Sequence, residues 1–454
     1  MRPLGAPSAR PYGGSPSIGR MTPFAPLVPA AALLAAAATA IAPPPDTTAT
    51  AAATAADNPV SPYVVVLKDT ASRAPARALA AEAAESGDEV GPVYEAALDG
   101  FAVRTTAARA AALAADPRVA SVEADTVFHI TGAGTDTPTG AGAEDTALLP
   151  QSPAPWSLDR IDQRELPLDG SYTYATKAAG VTVYILDTGI NTRHQEFGGR
   201  ARAGYNAVFL EGSRDCNGHG THVAGTVGGR TYGVAKGVSL VSVKVADCRG
   251  DGRLSAMLKG LDWVVKDAAR TPAAPAVANM SMGGTRSRAL DAAVLRIVSS
   301  GITFVAAAGN DGRNACGGSP ASVPQALTVG ATDAADRRAP FSNHGSCVDL
   351  FAPGVAVTSA RKDSTTGTAR SSGTSMAAPH VTGAAALLLA GGTARTPVQV
   401  SEALVRGAVP GRITGLPAGT PNLLLHVPGT ATPDPTADAT APAPAPATAP
   451  ARPS

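Results

Sequence analysis

The chain has 454 residues, with 37 Lys and Arg against 36 Asp and Glu. That balance argues against nucleic acid or an anionic membrane surface as a partner. Aromatic residues make up only 4% while glycines number 48, so the core must be built from small and branched aliphatic side chains with close backbone approaches at glycine.

Residues 1–42 read as an export signal. Arg2, Arg10 and Arg20 precede the apolar run Leu27–Ala42, and Ala38 with Ala40, or Ala40 with Ala42, offer cleavage sites before Pro43-Pro44-Pro45. The signal is intact from Met21, a second candidate start. The run is short and alanine-rich, a poor bilayer span. A secreted, extracellular chain is expected. In that setting an even count favours two disulfides among Cys216, Cys248, Cys316 and Cys347, with three connectivities open. Four reduced, buried thiols are the alternative.

Residues 43–60 are rich in Ala, Thr and Pro and read as a linker. Ser61–Asp69 has a strand pattern and Ala76–Glu85 a helical one. Tyr94–Thr105 reads as two short strands about a turn at Asp99-Gly100. A second helix stops near Pro117, and Val119–Asp125 closes as a strand. This βαββαβ order predicts a small α+β unit over 61–130. Residues 131–149 have loop composition.

From 150 to 427 strands and helices alternate. Val181–Asp187 and Val238–Ala246 are apolar strands, and the helix LSAMLKGLDWVVKDAAR follows the second. PAVANMSM, ITFVAAAGN, ALTVGA and VDLFAPG read as further strands, with RALDAAVLRIVSS as a helix between the first two. TSMAAPHVTGAAALLLA is a strongly apolar helix, and TPVQVSEALVRGAV a last one with Pro397 suited to its first turn. The pattern predicts an α/β domain: a doubly wound, mostly parallel sheet with helices on both faces. Residues 428–454, rich in Pro, Ala and Thr, read as a disordered tail.

Four stretches carry chemistry. Asp187 ends a buried strand in Asp187-Thr188-Gly189, where sites in parallel sheets lie. A turn or capping aspartate is the bland alternative. The triplet also resembles that of aspartic proteases, but no second copy occurs and the pattern is not all-β. In DCNGHGTHVAGT, His219 and His222 stand at i and i+3, a spacing open to a metal pair. The glutamate and spacing of H-E-x-x-H are absent. Gly218 and Gly220 leave room around His219, while His222 suits the core. Ser375 stands where a loop becomes a helix, so its own N–H can hold an oxyanion while its hydroxyl attacks a carbonyl. Asn310, at the end of AAAGN, can donate a side-chain N–H to the same oxyanion. Singly these suit an N-cap serine and a turn asparagine.

Together they fall in the order Asp, His, Ser. DTGI, HGTHVAGT, AAAGN and GTSMAAPH resemble the signature blocks of the subtilases, serine proteases of subtilisin-like fold, over about 150–427. QSPAPWSLDRIDQRELPLDGSYTY and YGVAKGV resemble the proteinase K-like branch, aqualysin-type enzymes in particular, and 61–130 resembles their inhibitory prodomain. The resemblance implies a broad endopeptidase made as an autoprocessed zymogen and cut between about Thr131 and Pro150. It implies Ser375 as nucleophile, His219 as general base and acid, Asp187 as its orienter, and Asn310 with the Ser375 N–H as oxyanion donors. A peptide substrate would pair with backbone at Gly252 and Leu254 and at Ser281, Met282 and Gly283. Its P1 side chain would lie beside Ala307 and Gly309, in an uncharged wall favouring hydrophobic or aromatic residues. The same likeness implies the bridges Cys216–Cys248 and Cys316–Cys347, no catalytic metal, and structural calcium at one or two sites. One calcium site would use Pro324, Ala326 and Asp349, the other Asp159, Asp162, Gln163, Asp169 and Ser171. Expected partners are protein and peptide substrates and the chain's own prodomain, with a monomeric enzyme. The rival reading is a binding protein on an inactive protease scaffold.

Overall fold

The computed structural model describes residues 59–68, 74–134 and 151–428. The expected export signal, most of both linkers and the C-terminal tail lie outside the described residues.

A nine-stranded sheet organises the larger part. Its order is Val409–Pro410, Leu423–Leu424, Leu350–Pro353, Leu327–Thr332, Thr303–Ala307, Ala276–Met280, Thr182–Asp187, Ser239–Lys244 and Ala201–Asn206. All neighbours pair in parallel except Val409–Pro410 with Leu423–Leu424. Every residue of Ala276–Met280, Thr303–Ala307 and Leu327–Thr332 is buried, because helices cover both faces. This explains why these strands read as continuous apolar runs and not as alternation. The edge strand Ala201–Asn206 carries Arg202 and Gly204 and gave no such signal.

One face is covered by the helices His219–Gly228 and Thr374–Ala390, the other by Leu254–Ala268 and Arg288–Ser299. Thr374–Ala390 is apolar all round since it runs through the core, with Thr374 to Leu387 buried. Pro397 opens the last helix, Pro397–Gly407, behind a capping box of Thr396 and Gln399. The strand order reverses around Thr182–Asp187, whose neighbours are Ser239–Lys244 and Ala276–Met280, so a crevice forms beyond the carboxyl ends of these strands.

The N-terminal unit has the expected βαββαβ order, with strands Glu89–Tyr94, Gly100–Thr106, Val60–Leu67 and Val119–Ala124 side by side in an antiparallel sheet. The expected strand around Tyr94 lies earlier, at Glu89–Tyr94. It is an edge strand, which tolerates the Gly91-Pro92 that hid it. Val64 and Tyr94 of the sheet, with Leu98 of the turn before Gly100–Thr106, pack against the core containing Met257, Leu261, Leu290 and Val294.

Three carboxylates fasten this unit to the main domain. Asp125 accepts from the Ser255 N–H and hydroxyl, both at 2.8 Å, at the start of Leu254–Ala268. That helix has no side-chain cap of its own. Glu123 accepts from Ser287 Oγ at 2.8 Å and the Ala289 N–H at 3.0 Å, at the start of Arg288–Ser299. In the reverse direction, Asp262 Oδ1 accepts three backbone N–H bonds, from Glu95, Ala96 and Ala97. Negative charge at a helix N-terminus and a carboxylate gathering backbone donors are both favourable arrangements.

Candidate active site

Asp187 closes the central strand and is fully buried. Its Oδ1 accepts the Thr188 N–H at 2.7 Å, and its two oxygens lie 2.8 and 3.0 Å from His219 Nδ1. An ionised carboxylate only accepts, so the imidazole proton sits on Nδ1 and Nε2 is left with a lone pair. Gly220 is required here: a Cβ on it would overlap the Gly189 carbonyl and stand 3.1 Å from Asp187 Oδ1.

His222, one turn on, faces the core. Nε2 lies 3.0 Å from the Val357 carbonyl, and burial pulls its pKa down to about 4. No metal-sized cluster joins the two histidines among the described residues; the one such grouping is Glu211 with the bridged Cys216 and Cys248.

Ser375 is fully buried at the start of Thr374–Ala390. Thr374 gives both its N–H and its hydroxyl to Asn310 Oδ1, each at 2.9 Å. That fixes the amide, so Asn310 Nδ2 points the other way, at the Thr131 carbonyl oxygen, which it hydrogen-bonds. The Ser375 N–H reaches the same oxygen at 3.3 Å.

The crevice is filled by the chain itself. Val127–Ile130 pairs antiparallel on one side with Asp251–Arg253 and on the other with Met282–Thr285. Phe128 faces Gly252, Ile130 faces Met282 and His129 faces Gly283; Leu254 N–H reaches the Thr126 carbonyl, and Thr131 N–H the Ser281 carbonyl. Beyond Thr131 the chain passes His219: a Cβ on Gly132 would be 3.1 Å from Nε2. Ala133 and Gly134 then pair with Ser372 and Ser371. The segment is thus held on both sides of the Thr131–Gly132 peptide bond. A cavity of about 580 Å³ opens beside Thr131, with Gly283, Ala307, Ala308, Gly309 and Ala315 among its lining residues. Asp311 and Arg313 also border it; they are exposed and paired with each other at 2.9 Å.

Ser375 Oγ departs from the simplest expectation. It lies 2.9 Å from the Ser281 carbonyl oxygen and 2.6 Å from Thr131 Oγ1, while His219 Nε2 has no hydrogen-bond partner.

Two residues outside the sequence-based set support the site. Asp215, buried, accepts from Thr188 Oγ1, the Asn217, Gly218 and Thr221 N–H groups and Thr221 Oγ1. It thereby ties the Asp187-Thr188 turn to the start of the His219 helix. An acidic residue just upstream of a helix start was its available signal. Lys244, also buried, donates to the Thr188 and Ala246 carbonyls and sits 3.1 Å from Glu211. Nothing in the strand pattern distinguished it.

The bridges Cys216–Cys248 and Cys316–Cys347 are formed. Among Asp159, Gln163, Asp169 and Ser171, Gln163 Nε2 donates to Asp159 at 2.7 Å, and Ser171 binds Asp169 through both N–H and hydroxyl. Asp162 lies beside them; burial and then the charges of Asp159 and Asp169 push its pKa up to about 6, and its Oδ1 is buried without a partner. Asp349, pushed up to about 6 by burial, accepts the Thr328 N–H just past Pro324 and Ala326.

Residues 178–438 match the subtilase family, and residues 62–131 match the peptidase inhibitor I9 family, a match that ends at Thr131. An extracellular serine proteinase from Thermus is 53% identical over 343 residues, covering 75% of this chain and 78% of the relative. Alkaline serine exoprotease A of Vibrio alginolyticus is 45% identical over 74% of this chain and 60% of its own length. The crystal structure of a cold adapted subtilisin-like serine proteinase is similar at a TM-score of 0.57 and 50% identity, covering 61% of this chain and 99% of that one. The chain therefore belongs to the subtilase family and is a serine endopeptidase made as a zymogen, with its inhibitor-type prodomain lying across the crevice.

Proposed function

We propose that Ser375 attacks the scissile carbonyl, that His219 takes its proton and returns it to the leaving nitrogen, and that Asp187 holds His219 in the Nδ1–H tautomer. Asn310 Nδ2 and the Ser375 N–H stabilise the oxyanion. The observation that carries this reading is the Thr131 carbonyl oxygen, which already sits between those two donors with His219 Nε2 beside Gly132. Gly252, Leu254, Ser281, Met282 and Gly283 bind substrate backbone by adding it as a strand between two edges. The first cut of the chain falls at Thr131–Gly132, its own substrate strand.

The preference at P1 is for neutral, mostly hydrophobic or aromatic side chains. Ala307, Ala308 and Gly309 bring no charge to the cavity wall, and Asp311 and Arg313 satisfy each other at its border. The enzyme works outside the cell as a monomer on protein and peptide substrates. Supporting export, the Thermus relative is named extracellular.

Calcium fits two places. Asp162 Oδ1 is a buried oxygen lacking a partner amid Asp159, Gln163, Asp169 and Ser171, an oxygen-only donor set suited to this hard ion. Asp349 with the Pro324 and Ala326 carbonyls is a second such set. Bound calcium would neutralise these carboxylates and brace the loops; it takes no part in peptide cleavage.

A fluorophosphonate probe tests the nucleophile. It should label the mature enzyme once, on the peptide containing Ser375, and leave Ser375→Ala unlabelled. Label on another residue, or equal label in the variant, would overturn the assignment.

A further inference from the structure

The geometry points to Thr131 as a residue that sets the rate of self-cleavage: its hydroxyl holds Ser375 in a resting position away from His219, making Thr131–Gly132 a slow bond. This inference rests on the reading of Ser375 as the nucleophile.

Three oxygens decide it. Ser375 Oγ lies 2.6 Å from Thr131 Oγ1 and 2.9 Å from the Ser281 carbonyl, and Thr131 Oγ1 lies 3.2 Å from the same carbonyl. The carbonyl only accepts, and each hydroxyl has one proton. If Ser375 donates to Ser281, Thr131 donates to Ser375 Oγ and occupies a lone pair needed for attack. If Thr131 donates to Ser281, Ser375 donates to Thr131 Oγ1. Under either assignment the Ser375 proton is engaged away from His219. His219 Nε2, where that proton must go, is buried and has no partner.

The rest of the site is already engaged. Both oxyanion donors reach the Thr131 carbonyl, and the strand is paired on both sides of the bond. Thr131 cannot simply withdraw. The 580 Å³ of space beside it remains with its side chain in place, so no large P1 group competes for that hydroxyl's position. Cleavage requires Ser375 to rotate toward His219. Its Oγ then bonds to the Thr131 carbonyl carbon, and its proton passes to Nε2 and on to the Gly132 nitrogen as the C–N bond breaks. Water hydrolyses the resulting ester. A P1 side chain without a hydroxyl imposes no such resting state, so the enzyme discriminates against its own junction relative to an isosteric valine.

The test is a time course of self-cleavage by intact mass, started by refolding full-length chains from denaturant. Thr131→Val keeps the shape and removes the hydroxyl; it should cut about tenfold faster than the parent, the rate equivalent of one net hydrogen bond made only in the resting state. Thr131→Ser keeps the hydroxyl and should stay within about threefold of the parent. Equal or slower cutting of Thr131→Val overturns the inference. Should that variant fail to fold, peptides spanning His129–Gly134 with Thr or Val at P1 are offered to mature enzyme, and equal kcat overturns it. Fluorophosphonate labelling run in parallel separates the two levels. Labelled Ser375 with no valine advantage removes this inference alone, whereas no label on Ser375 removes the reading beneath it.

Discussion

Replacing Asp125 by alanine should loosen the cleaved prodomain without harming the enzyme it leaves behind. Asp125 accepts two hydrogen bonds of 2.8 Å at the N-terminus of Leu254–Ala268, a helix with no side-chain cap of its own. Once the prodomain departs, parent and variant enzymes are identical, so the whole loss falls on the complex. A hydrogen bond to a charged group contributes about 1.5–3 kcal/mol, and charge at a helix terminus about 0.3–1 kcal/mol. The two bonds share one carboxylate and part of their strength returns as solvation by water, which leaves about 2–3 kcal/mol. That corresponds to an affinity roughly 30- to 150-fold weaker. The assay is dilution of the self-cleaved complex with peptidase activity on a chromogenic peptide as readout. The half-release concentration should rise by that factor, and Asp125→Asn, which keeps an acceptor but no charge, should fall between. A value for Asp125→Ala within about threefold of the parent would mean that this carboxylate does not hold the prodomain.

His222 and His380 are fully buried, and burial lowers each to about 4. Unfolded imidazoles titrate at about 6.5, so the unfolded state takes up protons first as pH falls. Stability from these groups is complete above about pH 6.5 and declines toward pH 4, by about 3 kcal/mol per histidine. Urea midpoints of the Ser375→Ala chain at pH 7.5 and 4.5 should show the drop, and a flat profile would contradict it. Chelating calcium should destabilise that same chain; calcium at a hundred times its Kd contributes about 2.7 kcal/mol per site. Asp162→Asn should lose most of the response belonging to its site, read as the change in Tm on adding chelator. Asp215→Asn turns an amide donor toward N–H groups, and should lower folding stability by about 2–4 kcal/mol and slow peptide hydrolysis. Its urea midpoint and kcat, measured beside Thr188→Val, test whether the Thr188 link carries part of that loss.

The large sheet was legible because strands buried on both faces leave unbroken apolar runs, as in Thr182–Asp187 and Thr303–Ala307. Edges were not: Ala201–Asn206 and Glu89–Tyr94 bury little and carry Gly, Pro or charge, so composition says loop. Asp187, His219, Asn310 and Ser375 stood out because each lies at a strand end or helix start with small neighbours; the structure sets Asn310 and Ser375 at one carbonyl oxygen, with His219, held by Asp187, beside the next residue. Asp215 carried a local signal, an acid just before a helix start, and four of its five hydrogen bonds come from residues 217–221; what the local pattern does not encode is the link to Thr188, 27 positions back, that ties it to the Asp187 turn. The contact of Thr131 with Ser375 spans 244 positions and depends on which residue the substrate strand presents, a matter of register. Asp262 looked like one charge on an amphipathic helix, and its three backbone donors come from 165 to 167 residues away.

Ser375 is proposed to cut the chain's own strand where it crosses the oxyanion donors. The decisive measurement is intact-mass analysis of the full-length parent and Ser375→Ala. The parent should yield a fragment ending at Thr131 and a partner beginning at Gly132, before any later trimming, and the variant should keep its Thr131–Gly132 bond. Cutting of that bond in Ser375→Ala by the purified protein alone, or a first cut in the parent at another bond, would contradict it.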